Sequence, residues 1–409
     1  MGAVGIIVEY NPFHYGHEFH IKEARRLSQQ EDVIAVMSGS FVQRGEPAII
    51  DKWYRAHMAI ASGVDLVLEL PIVFSLRSAQ YFSAGAIKLL QALGCVSHIC
   101  FGAEETQLTK LMQAAQLTNK PETIASLKLR MRQTGRSYAS ILTEMIQSVT
   151  GAKLSPNNIL AIEYLRALHD FAPQLAPLLV NRQGAAYHDK TLSKPCASAT
   201  AIRKAIVDEV PFSSIKAAMP VATFDLLQQG LQHQQGPATL NALAKPIVTS
   251  LRQCSLDELA LQAEMIEGIH HKIKRAALAA TDWNSLLAGI VSKRYAPAKI
   301  KRILLYTLLH VTNKELLAFD ESGPLYARVL AFNERGRALL KKMEQSSSLP
   351  AIVKTAHFLN SHSLDKPQSP LEKMLALDIH ASNLHGLCLP TNHWQPGNQD
   401  FIRSPLYIH

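Results

Sequence analysis

The sequence predicts an α/β fold over its first half and a mainly α-helical second half. Three observations carry this. Short apolar runs rich in β-branched residues recur along residues 1–210, each ending at a turn. Stretches with apolar residues at three- and four-residue spacing lie between them. Beyond Pro211 and Pro220 the short runs give way to helical spacing.

Taken in order, Ala3–Val8 is the first strand and enters a turn-rich segment. The helical stretch Phe19–Gln29 leads to a second strand, Val33–Met37, which stops at Ser38-Gly39. Trp53–Ser62 is helical, and Leu66–Leu70 is a third strand ending at Pro71. Ala84–Leu93 is helical, His98–Phe101 is a fourth strand ending at Gly102, and Leu178–Val180 is a weaker fifth. Strands alternating with helices imply a parallel sheet with right-handed crossovers, and strands apolar on both faces suit a covered one. In the second half, helices are expected over Leu240–Cys254, Asp257–Ala280, Ile300–Val311 and Glu334–Gln345. Loops are expected at Ser346–Pro350 and Ser361–Pro370, followed by an irregular but ordered tail. At 409 residues the chain exceeds one ordinary core, so two units are expected, 1–210 and 211–409.

With 47% hydrophobic and 18% charged residues, the composition is that of a well-packed globular protein. No apolar run is long enough to span a membrane, and the opening residues form a strand rather than a secretory leader, so a cytoplasmic location is expected. The five cysteines are scattered, without a Cys-x-x-Cys pair, and read as free thiols. The net charge of +9 concentrates in Lys272, Lys274, Arg275, Lys293, Arg294, Lys299, Lys301 and Arg302, a stretch whose one acidic residue is Asp282. This is a candidate phosphate-backbone footprint, with solvated helix faces as the alternative.

The chemistry concentrates after the first strand. In a doubly wound sheet, ligands bind beyond the C-terminal strand ends, where helices begin. Asn11-Pro12 turns the chain and Gly16 permits close backbone approach. A helix starting near His17 is expected to offer free N–H groups and a positive dipole end to a phosphate. His14 and His17 bracket this turn and can aim imidazole donors at one anion, stabilising charge during phosphoryl displacement. A protein-bound metal is not expected. His14, His17 and His20 recur every third residue, but His14 precedes the helix and His17-Glu18-Phe19-His20 is one residue short of the zinc-protease spacing. Walker A and Gly-x-Gly-x-x-Gly segments are absent, as is a nucleophile elbow.

His14-Tyr15-Gly16-His17 resembles the His-x-Gly-His signature of the nucleotidylyltransferase superfamily. The longer strings GIIVEYNPFHYGH (Gly5–His17), MSGSFVQRGEPA (Met37–Ala48) and GVDLVLELP (Gly63–Pro71) resemble the bacterial tRNA(Met) cytidine acetate ligases. So do FGAE (Phe101–Glu104), SPNNILAIEYL (Ser155–Leu165), NRQGAAYHD (Asn181–Asp189), SATAIRKAI (Ser198–Ile206) and, more weakly, SKRYAPAKIKRILL (Ser292–Leu305). Tyr15 departs from the Asn common in the family, at the variable position of the motif.

The resemblance implies a Rossmann-like nucleotidylyltransferase domain followed by a helical, basic tRNA-binding domain. It implies that ATP and acetate form acetyl-adenylate, which acetylates N4 of the wobble cytidine of elongator tRNA(Met). ATP would lie along Val8, Glu9, Tyr10, Asn11, Pro12, Phe13, His14, Tyr15, Gly16, His17 and His20. Gly102, Asn157, Arg182, Ser198, Thr200 and Arg203 would complete its site, with Mg2+ arriving on the phosphates. His14 and His17 are the catalytic candidates. Gly102 avoids blocking a nucleotide. Asn157 and Asn158 bring amides to a base or ribose edge, or merely cap a helix after Pro156. Arg182 could clamp a phosphate or pair on the surface. Ser198-x-Thr200-x-x-Arg203 resembles the superfamily element that holds the outer phosphates of ATP. The roles of Arg44 and Lys52 stay open, and no protein partner is expected. A small-molecule adenylyltransferase acting on a phosphorylated metabolite, and an RNA-binding protein with a relic nucleotide site, are the alternatives.

Overall fold

The computed structural model describes residues 2–136, 138–151, 155–182, 197–266, 268–390 and 395–409. Among the described residues, the strands in chain order are β1 (Ala3–Val8), β2 (Val33–Ser38), β3 (Phe41–Val42), β4 (Glu46–Pro47), β5 (Leu66–Leu70), β6 (Val96–Ala103), β7 (Ala176–Asn181), β8 (Ala327–Phe332), β9 (Ala351–Ile352) and β10 (Leu406–Tyr407). The main sheet runs β10-β8-β5-β2-β1-β6-β7, with β9 pairing β8; β3 and β4 form a separate antiparallel hairpin. The five strands read from the sequence form the parallel part of the sheet, with β7 at its edge.

Alternation along each strand splits the core in two. Val4, Ile6 and Val8 of β1 and Val33, Ala35 and Met37 of β2 face one side. There they meet the helices Tyr15–Ser28, Lys52–Ala61 and Ala199–Val207. Ile34 and Val36 of β2, with Leu66 and Leu68 of β5, face the other side, under Ala79–Ala92 and Pro156–Phe171. Because both faces are covered, β1 and β2 carry nearly unbroken apolar runs rather than alternating ones.

The sheet draws on both sides of residue 210. β8 pairs antiparallel with β5 and extends the sheet beyond it, and β10 closes the far edge. The expected long helix Asp257–Ala280 is two helices, Leu256–Leu261 and Ile269–Ala279, divided around Gly268, whose φ of +76° is left-handed. Leu240–Cys254 begins as a 3-10 turn before the helix Ala244–Gln253. The tail holds a short helix, Gln399–Ile402, whose Asp400 is buried. Lys52 Nζ lies 2.6 Å from Asp400 Oδ1 and 2.9 Å from Glu69 Oε2, and Arg328 pairs with the same two carboxylates at 2.5 and 3.3 Å. Lys52 is therefore a buried structural cation.

β1 lies between β2 and β6, so chain order reverses direction on its two sides. A crevice forms outside the C-terminal ends at such a switch point. The neighbours β1, β6 and β7 thereby bring the turn after Val8, Gly102 and Arg182 to one end of the sheet.

Candidate active site

After Val8 the chain leaves the sheet through Glu9-Tyr10-Asn11-Pro12-Phe13, with Tyr10 and Phe13 fully buried. His14 caps the helix Tyr15–Ser28. Its Nδ1 accepts the Gly16 N–H at 3.0 Å, and its own N–H donates to Nδ1 of His17 at 3.3 Å. Burial, reinforced by the positive charge of Arg182 and Arg203, lowers the His14 pKa to about 3. Burial and neighbouring His14 hold His17 well below the ordinary histidine value. Both rings are therefore neutral near pH 7. A neutral ring that accepts at Nδ1 carries its proton on Nε2. The rings stack with centroids 3.8 Å apart and planes 29° apart, and Tyr10 and Phe13 wall His17 at 4.9 and 5.5 Å. The backbone thus fixes two stacked Nε2–H donors in one tautomer.

Three of the expected free helix N–H groups are already taken. Gly16 N–H is taken by the His14 ring, and the N–H groups of His17 and Glu18 reach the His14 carbonyl at 2.9 and 3.3 Å. A histidine cap folds back over the first turn and satisfies these donors itself. The helix dipole and the two ring donors remain for an anion. Gly16 is required by this cap: a Cβ there would sit 2.9 Å from His14 Cε1.

Arg203 ties a second helix to the same strap. Its Nη1 donates to the Asn11 carbonyl at 2.6 Å and its Nη2 to Thr200 Oγ1 at 3.2 Å. Ser198 caps that helix through Ala201 N–H. The Asn11 side chain accepts the Ile49 N–H at 2.7 Å, which fixes the strap from the opposite side.

Across the crevice, Glu104 gathers the other candidates. Its carboxylate takes the Asn157 amide at 2.5 Å and the Ser155 hydroxyl, with Arg182 Nε 3.9 Å away. A Cβ on Gly102 would meet Arg182 Cγ at 3.2 Å. Asn158 is buried and architectural: its Oδ1 accepts the N–H groups of Glu104 and Glu105, while Ser155 caps the helix. His20 lies one turn past His17. Burial and Arg182 lower its pKa to about 4, and its buried Nε2 has no hydrogen-bond partner among the described residues. Val8 and Pro12 are buried, and Tyr15 is half-buried at the rim. Most of the NRQGAAYHD segment, and Cys196, lie outside the described residues; the described cysteines are free thiols.

Two residues that the sequence reading left without a role hold the site together. Arg55 is fully buried and donates to the carbonyls of Glu9, Ser38, Gly39 and Ile50, stapling the ends of β1 and β2. Glu104 is the other. Arg55 was hard to read because its partners are backbone carbonyls, which leave no pattern in sequence. Among the described residues, no cluster of three His, Cys, Asp or Glu side chains could hold a metal.

The basic stretch does not form one surface. Lys301 pairs with Glu46 at 2.5 Å, and buried Arg302 faces Glu264 and the Gln43 carbonyl, so both turn inward onto the β3–β4 hairpin. Lys274 donates to the carbonyls of Leu251, Arg252 and Cys254, and Lys272 to that of Ile290. Arg275, Lys293 and Arg294 are exposed, and Lys299 is half-exposed beside the Tyr295 ring.

A parallel sheet whose first strand delivers a His-x-Gly-His turn to its switch point defines a nucleotidyltransferase. The HIGH Nucleotidyl Transferase family model matches residues 1–400. A Syntrophomonas wolfei tRNA(Met) cytidine acetate ligase is 36% identical over 416 residues, covering 99% of both chains. The crystal structure of Thermotoga maritima TmcAL in an apo form superimposes with a TM-score of 0.91 at 29% identity, covering all of both chains. The same protein bound with alpha-thio ATP gives 0.90 at 28%. The chain belongs to the tRNA(Met) cytidine acetate ligase family of HIGH nucleotidyl transferases.

Proposed function

We propose that this protein activates acetate with ATP and transfers the acetyl group to N4 of the wobble cytidine of elongator tRNA(Met). The observation that carries the reading is the stacked His14–His17 pair, two neutral rings with backbone-fixed Nε2–H donors. Donors of this kind suit the charge that builds on the α-phosphate oxygens as acetate attacks and pyrophosphate leaves. Neutral rings donate to the phosphate without surrendering a proton to it. Arg203, on the helix Ala199–Val207, and Arg182, just past β7, already bias the His14 ring electrostatically and would meet the remaining phosphates. Mg2+ would arrive on those phosphates rather than on protein ligands.

Residues 1–210 supply the ATP side, and residues 211–409 contribute most of the tRNA side. Arg275, Lys293, Arg294 and Lys299 are the outward-facing candidates for phosphate contacts. Lys301 and Arg302 instead brace the β3–β4 hairpin, where Arg44 sits. A cytoplasmic location suits a tRNA substrate, and no helix of the described residues is long and apolar enough to cross a membrane. The test is incubation with labelled acetate, ATP and total tRNA, followed by nucleoside analysis. Label in N4-acetylcytidine is expected. Label in another nucleoside, or pyrophosphate release that depends on a phosphorylated metabolite rather than acetate, would overturn the assignment.

A further inference from the structure

We propose that Glu9 is the base that takes the proton from the cytidine amine during acetyl transfer. The inference rests on the acetate-ligase reading above and adds the group that completes its second step.

Among the described residues, the other candidate bases at the crevice are already committed. The Nδ1 lone pairs of His14 and His17 each accept a backbone N–H, and their Nε2 atoms carry protons, so neither ring has an acceptor to offer. Glu104 holds Ser155 and Asn157 beside Arg182. Glu69 is locked between Lys52 and Arg328. His20 Nε2 is closed off from solvent, one helical turn behind His17.

Glu9 differs in place and setting. It is the first residue past β1, five positions before His14, and is half-buried at the mouth of the crevice. Its Oε1 accepts the Gln43 N–H at 2.9 Å, so one oxygen anchors the side chain. Gln43 lies in the β3–β4 turn, and that turn is held rigidly. Lys301 grips Glu46, Arg302 donates to the Gln43 carbonyl at 3.4 Å, and a Cβ on Gly45 would come within 2.7 Å of the Arg302 nitrogen. The carboxylate is thus anchored to a braced loop that also carries Arg44.

The charged groups around it come from four elements. Arg203 on its helix, Arg44 in the hairpin turn and Arg55 on Lys52–Ala61 favour the carboxylate, while the Tyr164 hydroxyl approaches from Pro156–Phe171. Burial outweighs the cations and raises the Glu9 pKa above the ordinary carboxylate value. A carboxylate whose proton affinity is raised toward neutrality is the better proton acceptor there.

The step balances. The N4 lone pair forms a C–N bond to the acetyl carbon of acetyl-adenylate. One N–H proton moves to Glu9 as the tetrahedral centre collapses, the bond from acetyl carbon to phosphate oxygen breaks, and AMP leaves with that electron pair. Water then removes the proton from Glu9.

Glu9→Gln tests this, because glutamine keeps an oxygen for the Gln43 N–H but takes no proton. Acetate-dependent ATP–pyrophosphate exchange reads the first step, and single-turnover transfer from preformed acetyl-adenylate to tRNA reads the second. Transfer is expected to fall about 10²–10⁴-fold further than exchange. The acid limb of the native pH profile for transfer should vanish in Glu9→Gln and return, at reduced rate, in Glu9→Asp. Equal losses in both steps, or an unchanged acid limb in Glu9→Gln, would show a positioning role and overturn the proposal. Absence of acetate-dependent exchange in the unmutated protein would overturn the acetate reading, and the role of Glu9 with it.

Discussion

The two imidazoles act through their tautomer. His14 caps its helix with Nδ1, and the cap simultaneously sets which nitrogen holds the proton. His14→Ala and His17→Ala should each lower acetate-dependent pyrophosphate exchange about 10²–10³-fold, as loss of a preorganised donor does. Gly16→Ala should lose exchange while keeping most of its thermal stability, because the new methyl displaces the His14 ring at an exposed turn. The depressed pKa of His14, about 3, also has a stability consequence. As pH falls through the ordinary histidine value of about 6.5, the unfolded chain binds a proton that the native ring refuses, so stability is lost toward acid. Denaturant titrations at pH 7.5 and pH 5 should show this loss in the native protein. A smaller loss is expected in His14→Asn, which keeps a cap but cannot titrate. An equal loss in both would remove His14 from the effect.

At the scale of elements, the β3–β4 hairpin links the nucleotide strap to the second half of the chain. Gly45, with φ of +74°, lets its tip touch Lys301 and Arg302. Gly45→Ala should cost about 1–3 kcal/mol, from a strained left-handed backbone and a forced close approach. It should also slow acetyl transfer more than adenylate formation, since Gln43 would shift beneath Glu9. Equal slowing of both steps would separate the hairpin from transfer.

Legibility from sequence divides at this same scale. The five parallel strands could be read because their cores are short β-branched or apolar runs, nearly unbroken in β1 and β2 where both faces are buried, and the His-x-Gly-His turn because its residue types are rare together. β8 escaped notice. Its six residues, Ala327–Phe332, look like any short buried segment, and their partner, β5, lies far earlier in the chain. A run that short does not distinguish strand from helix. The basic stretch misled for a related reason: composition does not reveal that Lys301 and Arg302 point inward to Glu46 and Glu264. Glu9 stood within the motif, but its setting depends on Gln43, 34 residues away.

Across the whole molecule, the C-terminal end is part of the sheet architecture rather than an appendage. Asp400 sits between Lys52 and Arg328, beneath the β5 carboxylate of Glu69. Asp400→Ala would leave two buried cations underpaired and should cost about 3–5 kcal/mol, read as a lower denaturation midpoint. A cost within about 0.5 kcal/mol, as for an ordinary surface change, would deny the network this role. Electrostatics toward tRNA should be diffuse. Neutralising Arg275, Lys293 and Arg294 together should weaken tRNA binding and flatten its salt dependence, by about one unit of slope for each RNA phosphate that no longer meets a cation. An unaltered slope would place the RNA on another face.

The most direct measurement is a crystal structure of this protein with alpha-thio ATP. The α-phosphorus is expected within hydrogen-bonding reach of His14 Nε2 and His17 Nε2, at the start of the helix Tyr15–Ser28, with Arg182 and Arg203 turned toward the outer phosphates. A triphosphate seated away from that pair of rings, or rings whose Nε2 atoms point elsewhere when the nucleotide is bound, would contradict it.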